Sequence, residues 1–256
     1  MKKALAVVSF GTTYPEARRA IEEIENALRA AFPDHDFYRA FTSSIVIRKI
    51  AREEGVIIPN PGELLEQLAA QGYEEVRVQT LHVIPGIEYE KMLRQMDPWR
   101  ARFARLTVGK PMLFAAEDYE EICRELLAQM PALAEDAAYV YMGHGTEHFA
   151  NAAYSQIENM FRALGAERVY VGTVEGFPDL DYVRGRLRRA GVRKVTLAPF
   201  MIVAGDHARN DLAGEEDDSW KSILEADGFE VTADLRGLGE IAATRALFAR
   251  HCQDAE

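Results

Sequence analysis

AYVYMGHGT, residues 138–146, decides the fold. Tyr139, Val140, Tyr141 and Met142 suit a strand buried on both faces, and Gly143 and Gly145 let the backbone turn sharply and approach a ligand closely. His144 therefore stands at a strand's carboxyl end. In open parallel α/β sheets ligands gather at that edge, so a titratable ring nitrogen there carries more weight than one elsewhere. A turn histidine bonded to a nearby carbonyl would read the same from this stretch alone, so the flanking sequence has to decide.

Downstream, a helix over 150–164 leads to a strand over 168–174 that ends at Glu175-Gly176-Phe177-Pro178. The next helix stops at Gly191, and a strand over 194–203 ends at Ala204-Gly205-Asp206-His207. Helix 220–226, strand 229–235 and a closing helix over 240–251 complete this half. Upstream the plan is the same. Strand 3–9 and the turn Phe10-Gly11-Thr12-Thr13 precede a helix that Pro15 opens and that runs to Ala31. Strand 36–41 follows, and Thr42 or Ser43 can cap the helix carrying Ile47 and Ile50. After the turn Pro59-Asn60-Pro61-Gly62 come helix 63–70, strand 74–84, a long helix from residues 85–90 to Arg105, strand 106–112 and helix 118–130.

Strands alternating with helices predict crossover units and parallel pairing. The fold class is α/β, with two similar domains, each a mainly parallel sheet flanked by helices, and a cleft between them. The expected boundaries are 1–130 for the N-terminal half and 137–237 for the C-terminal half, with a seam near residues 131–136. Residues 238–256 form a closing helix that packs back on the N-terminal half.

The halves echo each other. Setting Gly11 over Gly145 aligns AVVSFGT (6–12) with VYMGHGT (140–146) and puts His144 in the place of Phe10. Setting Gly86 over Gly205 aligns LHVIPGIE (81–88) with FMIVAGDH (200–207) and puts His207 in the place of Glu88. Both alignments fall at strand ends followed by a polar group. Glu88, His144, Glu175 and His207 are thus expected at the rim of the cleft, with the two imidazoles converging from separate lobes.

Composition narrows the function. With 30 basic and 41 acidic residues the chain carries net charge −11, which argues against nucleic acid and anionic membranes as partners. No apolar run approaches the roughly 20 residues a bilayer span needs. The apolar stretch after Lys2-Lys3 is short and runs into a glycine turn, so it reads as a buried strand and the expected location is the cytoplasm. Cys123 and Cys252 have no neighbour at metal-binding spacing and read as buried free thiols. Phosphate-cradling G-x-x-x-x-G-K-[ST], dinucleotide G-x-G-x-x-G after the first strand and hydrolase G-x-S-x-G motifs are all missing, so no nucleotide cofactor is expected.

Two histidines with one or two carboxylates suit a divalent first-row ion such as Co²⁺, Fe²⁺ or Zn²⁺, with no thiolate to select a soft metal. Ligands arriving from separate loops suit an ion that is handed on, whereas a structural site is more often closed by cysteines.

Taken together, VVSFGTT (7–13), RAFTSS (39–44), AAQGYEEV (69–76), EYEK (88–91), MGHG (142–145), VEGFP (174–178), AGDHARND (204–211) and DDSWK (217–221) resemble the anaerobic cobalt chelatases, which are related to class II ferrochelatases. The resemblance implies ATP-independent insertion of Co²⁺, as substrate, into sirohydrochlorin, with Fe²⁺ insertion giving sirohaem as the nearest alternative. A non-enzymatic tetrapyrrole or metal carrier and a phosphosugar-type enzyme stand further off. It places metal-site histidines at His144 and His207 and acidic partners at Glu88 and Glu175. The expected catalytic residues are His144, His207 and Glu88, and the expected metal ligands His144, Glu175 and His207. Some relatives bind haem, but the helix after Glu88 has no histidine, so none is expected here. A homo-oligomer is implied.

Because an imidazole must be neutral to ligate, activity is expected to fall as pH drops through about 6.5. Arg39, Arg48, Lys91, Arg94 and Arg209 are candidates for the substrate's carboxylates. His148 is a candidate outer partner of the metal site or a helix-start residue. His82 reads as a core group inside a strand, His35 and His251 read as exposed, and the acidic run 215–218 resembles a metal-collecting loop.

Overall fold

The computed structural model describes residues 2–255. The chain forms two compact units: Met1–Phe114 with Gly239–Glu256, and Ala115–Leu238. The stretch 131–136, read from sequence as the seam, lies inside the second unit. Helix α5 (Ala116–Gln129), expected in the first half, belongs to the second because its apolar face packs there, with the Cys123 thiol donating to the Ile157 carbonyl.

In the first unit, β1 (Lys3–Ser9), β2 (Asp36–Phe41), β3 (Glu75–Thr80) and β4 (Arg105–Val108) form a parallel sheet in the order β2-β1-β3-β4. β1 is buried on both faces, as a central strand covered by crossover helices must be. Its Ala4, Ala6 and Val8 pack with Val76 and Val78 of β3 and with Leu64, Leu65 and Leu68 of α3 (Pro61–Ala70). Asn60 and Glu63 cap that helix reciprocally. Ile21, Ile24 and Leu28 line one face of α1 (Pro15–Ala31), and burying each contributes about 1.5–3 kcal/mol. α2 (Ser44–Glu54) is capped by Ser43 and stops at Gly55.

The long helix expected to reach Arg105 ends sooner. α4 (Ile87–Met96) passes into a 3₁₀ segment over Asp97–Arg102 with Pro98 in its first turn, since proline removes a helical donor and clashes with the preceding turn. The closing helix α9 (Ala242–Gln253) packs on α1, where Arg245 Nη1 donates to Glu23 Oε2 at 2.6 Å. His251, expected exposed, is buried there, its Nδ1 3.2 Å from the Lys110 carbonyl. His35, also expected exposed, has a buried side chain standing edge-on to Phe32, with Asp34 at 2.8 Å.

The second unit repeats the order. β5 (Ala137–Gly145), β6 (Val169–Glu175), β7 (Lys194–Pro199) and β8 (Glu230–Ala233) form a parallel sheet ordered β6-β5-β7-β8. Helices α6 (Ala152–Ala163), α7 (Leu180–Arg189) and α8 (Trp220–Ala226) are its crossovers. Val140, Met142, Val195 and Leu197 share a core with Val183, Leu187, Trp220 and Leu224. Among the described residues no helix is long and apolar enough to cross a membrane.

Candidate functional site

From β5 the second unit's chain crosses one way to β6 and then the other way to β7, so the switch point lies between the carboxyl ends of β5 and β7. In open α/β sheets that is where a crevice forms for ligands. His144 is the penultimate residue of β5, and His207 follows the loop after β7. Their ring centroids are 4.6 Å apart and nearly perpendicular. β5 itself holds His144, whereas His207 is held by the loop and helical turn that follow the end of β7 at Pro199. Both imidazoles come from the second unit, which corrects the expectation that they arrive from separate lobes: the end of β5 and the segment that follows β7 suffice.

Each flanking glycine has a steric reason. A Cβ on Gly143 would lie 2.2 Å from the Tyr154 ring, and one on Gly145, at φ +81°, would lie 1.8 Å from the Glu175 carbonyl oxygen. Burial pushes the Tyr154 phenol up to about 12, with the backbone of Gly145 and His144 acting in the opposite direction. Asn151 ties two loops together: Thr146 N–H donates to its Oδ1 at 2.9 Å, and its Nδ2 donates to the Phe177 carbonyl at 2.6 Å.

Both rings present the same nitrogen. His144 Nδ1 lies 3.0 Å from the Gly145 carbonyl oxygen, an acceptor only, so Nδ1 carries the proton and Nε2 the lone pair. The carbonyl-bonded turn histidine considered at the outset is thus real, and it is compatible with ligation through the far nitrogen. His207 Nδ1 contacts Asp211 Oδ2, four residues on, within a π-helical turn over Ala208–Leu212. Such turns are rare and recur at functional sites.

Glu175, at the end of β6, brings Oε2 within 3.9 Å of His144 Nδ1, the side away from the lone pair. Among the described residues no group of three His, Cys, Asp or Glu side chains is disposed to hold a metal, so the carboxylate expected as a third ligand is beside the imidazole pair without completing a cage. The acidic run 215–218 is exposed and leads into Ser219, which caps α8, so nothing in its geometry marks it as a metal-collecting loop.

Glu88 lies in the first turn of α4, after β3, at the matching switch point of the first unit, where Phe10 follows β1. The echo between the halves is therefore repeated in strand order. Lys91 Nζ is 3.3 Å from both Glu88 oxygens and donates to the Thr42 carbonyl at 2.8 Å, joining the loop after β2 to α4. His82 lies beyond the end of β3, not within it, with Nδ1 2.6 Å from Thr80 Oγ1 and Nε2 buried without a partner. Burial lowers it to about 4.

Of the other cations, Arg39 is bound to the buried carboxylate of Glu25, Nε to Oε1 at 2.6 Å, so it braces α1 against β2 and is not turned toward a substrate. Arg94 pairs with Glu90 along α4. Arg48 and Arg209 are exposed. His148 accepts from the Ala150 N–H and caps a short 3₁₀ turn, the helix-start role. Two aromatic side chains escaped the sequence reading: Phe149, 82% exposed after β5, and Phe177, 59% exposed after β6. Only accessibility reveals them, because their local sequence gives no sign that they are left uncovered.

A family model described as cobalt chelatase (CbiK) matches residues 3–256. The chain belongs to that family. It is 45% identical to the sirohydrochlorin cobaltochelatase of Salmonella typhimurium, over all of this chain and 97% of that one. It is 34% identical to sirohydrochlorin cobaltochelatase CbiKC of Nitratidesulfovibrio vulgaris, over 93% of this chain and 85% of the relative. The fold is similar to that of SirB from Bacillus subtilis, solved with Fe³⁺, at TM-score 0.66 and 15% identity over 99% of this chain and 95% of SirB. It is also similar to DR2241 from Deinococcus radiodurans, a multi-domain protein, at TM-score 0.58 and 14% identity over 96% of this chain and 53% of that protein. The sequence-level resemblance is thereby borne out for the chelatase family, and the parallel two-sheet fold with it.

Proposed function

We propose that this chain is a sirohydrochlorin cobaltochelatase, inserting Co²⁺ into sirohydrochlorin to give cobalt-sirohydrochlorin for anaerobic cobalamin biosynthesis, with no nucleotide and no haem. The observation that carries the site assignment is the pair His144 and His207 at one switch point, each with Nδ1 hydrogen-bonded and Nε2 carrying the lone pair.

Insertion replaces the ion's water and protein ligands with four ring nitrogens and releases two pyrrole protons. Two neutral imidazoles hold Co²⁺ well enough to strip water, yet a bidentate hold leaves most coordination positions for the macrocycle. As ring nitrogens bind, the imidazoles let go. Glu175, exposed beside His144, reaches the ion in this reading by rotating its side chain, and of the two pyrrole protons Glu88, as the proposed base, takes one while water takes the other. Phe149 and Phe177 offer apolar surface to a flat ring. The finer expectations, a homo-oligomer in the cytoplasm with neither nucleic acid nor membrane as partner, belong to the same proposal.

The test is insertion under anaerobic conditions, with excess sirohydrochlorin and Co²⁺ followed by the visible spectrum. Wild type should convert many equivalents, and His144→Ala and His207→Ala should each lose on the order of a hundredfold in rate, ~2.7 kcal/mol. Undiminished rates in both variants would remove the site assignment. Conversion that stops at one equivalent would make the protein a carrier, and faster insertion of Fe²⁺ than Co²⁺ would make its product sirohaem.

A further inference from the structure

We propose that Asp211 is a positioning residue for metal delivery: its carboxylate fixes the proton of His207 on Nδ1 and so aims the Nε2 lone pair at the ion. This rests on the reading of His207 as a holder of Co²⁺.

The chemistry of the contact is one-sided. An ionised carboxylate only accepts, so the approach of Asp211 Oδ2 to His207 Nδ1 requires an N–H there, and in the neutral ring, the form that ligates, that leaves Nε2 bare. Without that acceptor the neutral ring would favour the Nε2–H form, as free histidine does in water, and a protonated Nε2 cannot ligate. The backbone supports the arrangement. His207 opens the π-helical turn, whose wider circuit carries residue 211 back over residue 207. Ala208 and Leu212 are fully buried and anchor the turn, and Asn210 Nδ2 donates to Asp206 Oδ1 at 3.1 Å across it.

The two imidazoles are therefore unequal. His144 Nδ1 donates to a neutral carbonyl, and His207 Nδ1 to a carboxylate. A carboxylate behind an imidazole raises its basicity as a ligand, and losing such a partner typically weakens metal binding about 10–100-fold. His207 is thus the firmer hold on the ion and His144 the first to yield it. An ion pair with a merely structural role would touch folding and leave the metal affinity as it is, which gives the experiment its contrast.

The full chain is compared with Asp211→Leu, which removes the acceptor while keeping the branched shape, and Asp211→Asn, which keeps an acceptor oxygen. Long-range ¹H–¹⁵N spectra of the metal-free protein should show His207 as the Nδ1–H tautomer in wild type and Asp211→Asn, and as the Nε2–H tautomer in Asp211→Leu. Co²⁺ titration without macrocycle, read by visible absorbance, should weaken about 10–100-fold in Asp211→Leu and recover most of that in Asp211→Asn. KM for Co²⁺ should rise in Asp211→Leu while KM for sirohydrochlorin stays put.

A wild-type spectrum showing Nε2–H at His207 overturns the proposal without any variant. So does an Asp211→Leu protein that keeps both tautomer and affinity, or an Asp211→Asn protein that keeps the tautomer yet binds Co²⁺ as weakly as Asp211→Leu. His207→Ala separates the two levels. If it binds Co²⁺ like wild type, the metal-holding reading fails; if it loses binding while Asp211→Leu does not, only the role of Asp211 falls.

Discussion

Burying His82 beyond β3 ties the stability of the first unit to pH. Burial is the main cause of its lowered value of about 4, with the Glu88 charge acting to raise it and the Lys91 charge to lower it. Free histidine titrates near about 6.5. At pH 8 the ring is neutral both folded and unfolded, and its contribution is fully present. As pH falls below about 6.5 the unfolded chain takes up a proton that the native chain refuses, so stability is lost progressively until the folded value is reached. Linkage over that interval gives a loss of about 2 kcal/mol by pH 5 and about 3 kcal/mol below pH 4. Trp99 packs on the first unit's core and Trp220 on the second's, so a Trp220→Phe background reports on the first unit alone. Urea unfolding by Trp99 fluorescence should show the stability gap between His82 and His82→Asn proteins shrinking by about 2 kcal/mol from pH 8 to pH 5. A gap that stays constant across that range would refute the burial argument, as would a ring resonance of His82 that titrates near 6.

Gly145→Ala should fold poorly and insert metal slowly. The left-handed backbone costs an alanine about 1–2 kcal/mol, and the new methyl meets the Glu175 carbonyl, which β-pairing holds in place; normal melting and normal turnover together would contradict this. Asn151→Ala removes both bonds joining the loops after β5 and β6, roughly 1 kcal/mol each. The expected result is weaker Co²⁺ binding with little change in helix content, and an unaltered Co²⁺ titration would count against the brace. Burial raises the thiols of Cys123 and Cys252 to about 12, so a thiol reagent at pH 8 should label neither in the native protein and both in urea; rapid native labelling would show that one of them is reachable.

The central strands were readable because β1 and β5 are apolar on both faces and end in glycine turns. The strands flanking them were read too long. Residues 81–84 and 200–203 are apolar enough to pass for strand, yet β3 ends at Thr80 and β7 at Pro199, since periodicity cannot separate a buried connection from a buried strand. His35 misled because its neighbours Asp34 and Asp36 are polar, whereas its ring is covered by Phe32. His144 and His207 could be found from strand ends and family motifs. The parts played by Asp211, Asn151 and Tyr154 could not, because each acts through a partner that only the fold brings near. Asp211 alone left a trace, the four-residue spacing from His207, which means something only once the π-helical turn is known.

Because His144 stands on a strand while His207 stands on the loop and π-helical turn beyond β7, the gap between the two rings depends on how that turn is packed, through Ala208 and Leu212, as well as on the sheet. Substitutions inside that turn would then shift one ring against the other and leave the strand pairing as it is.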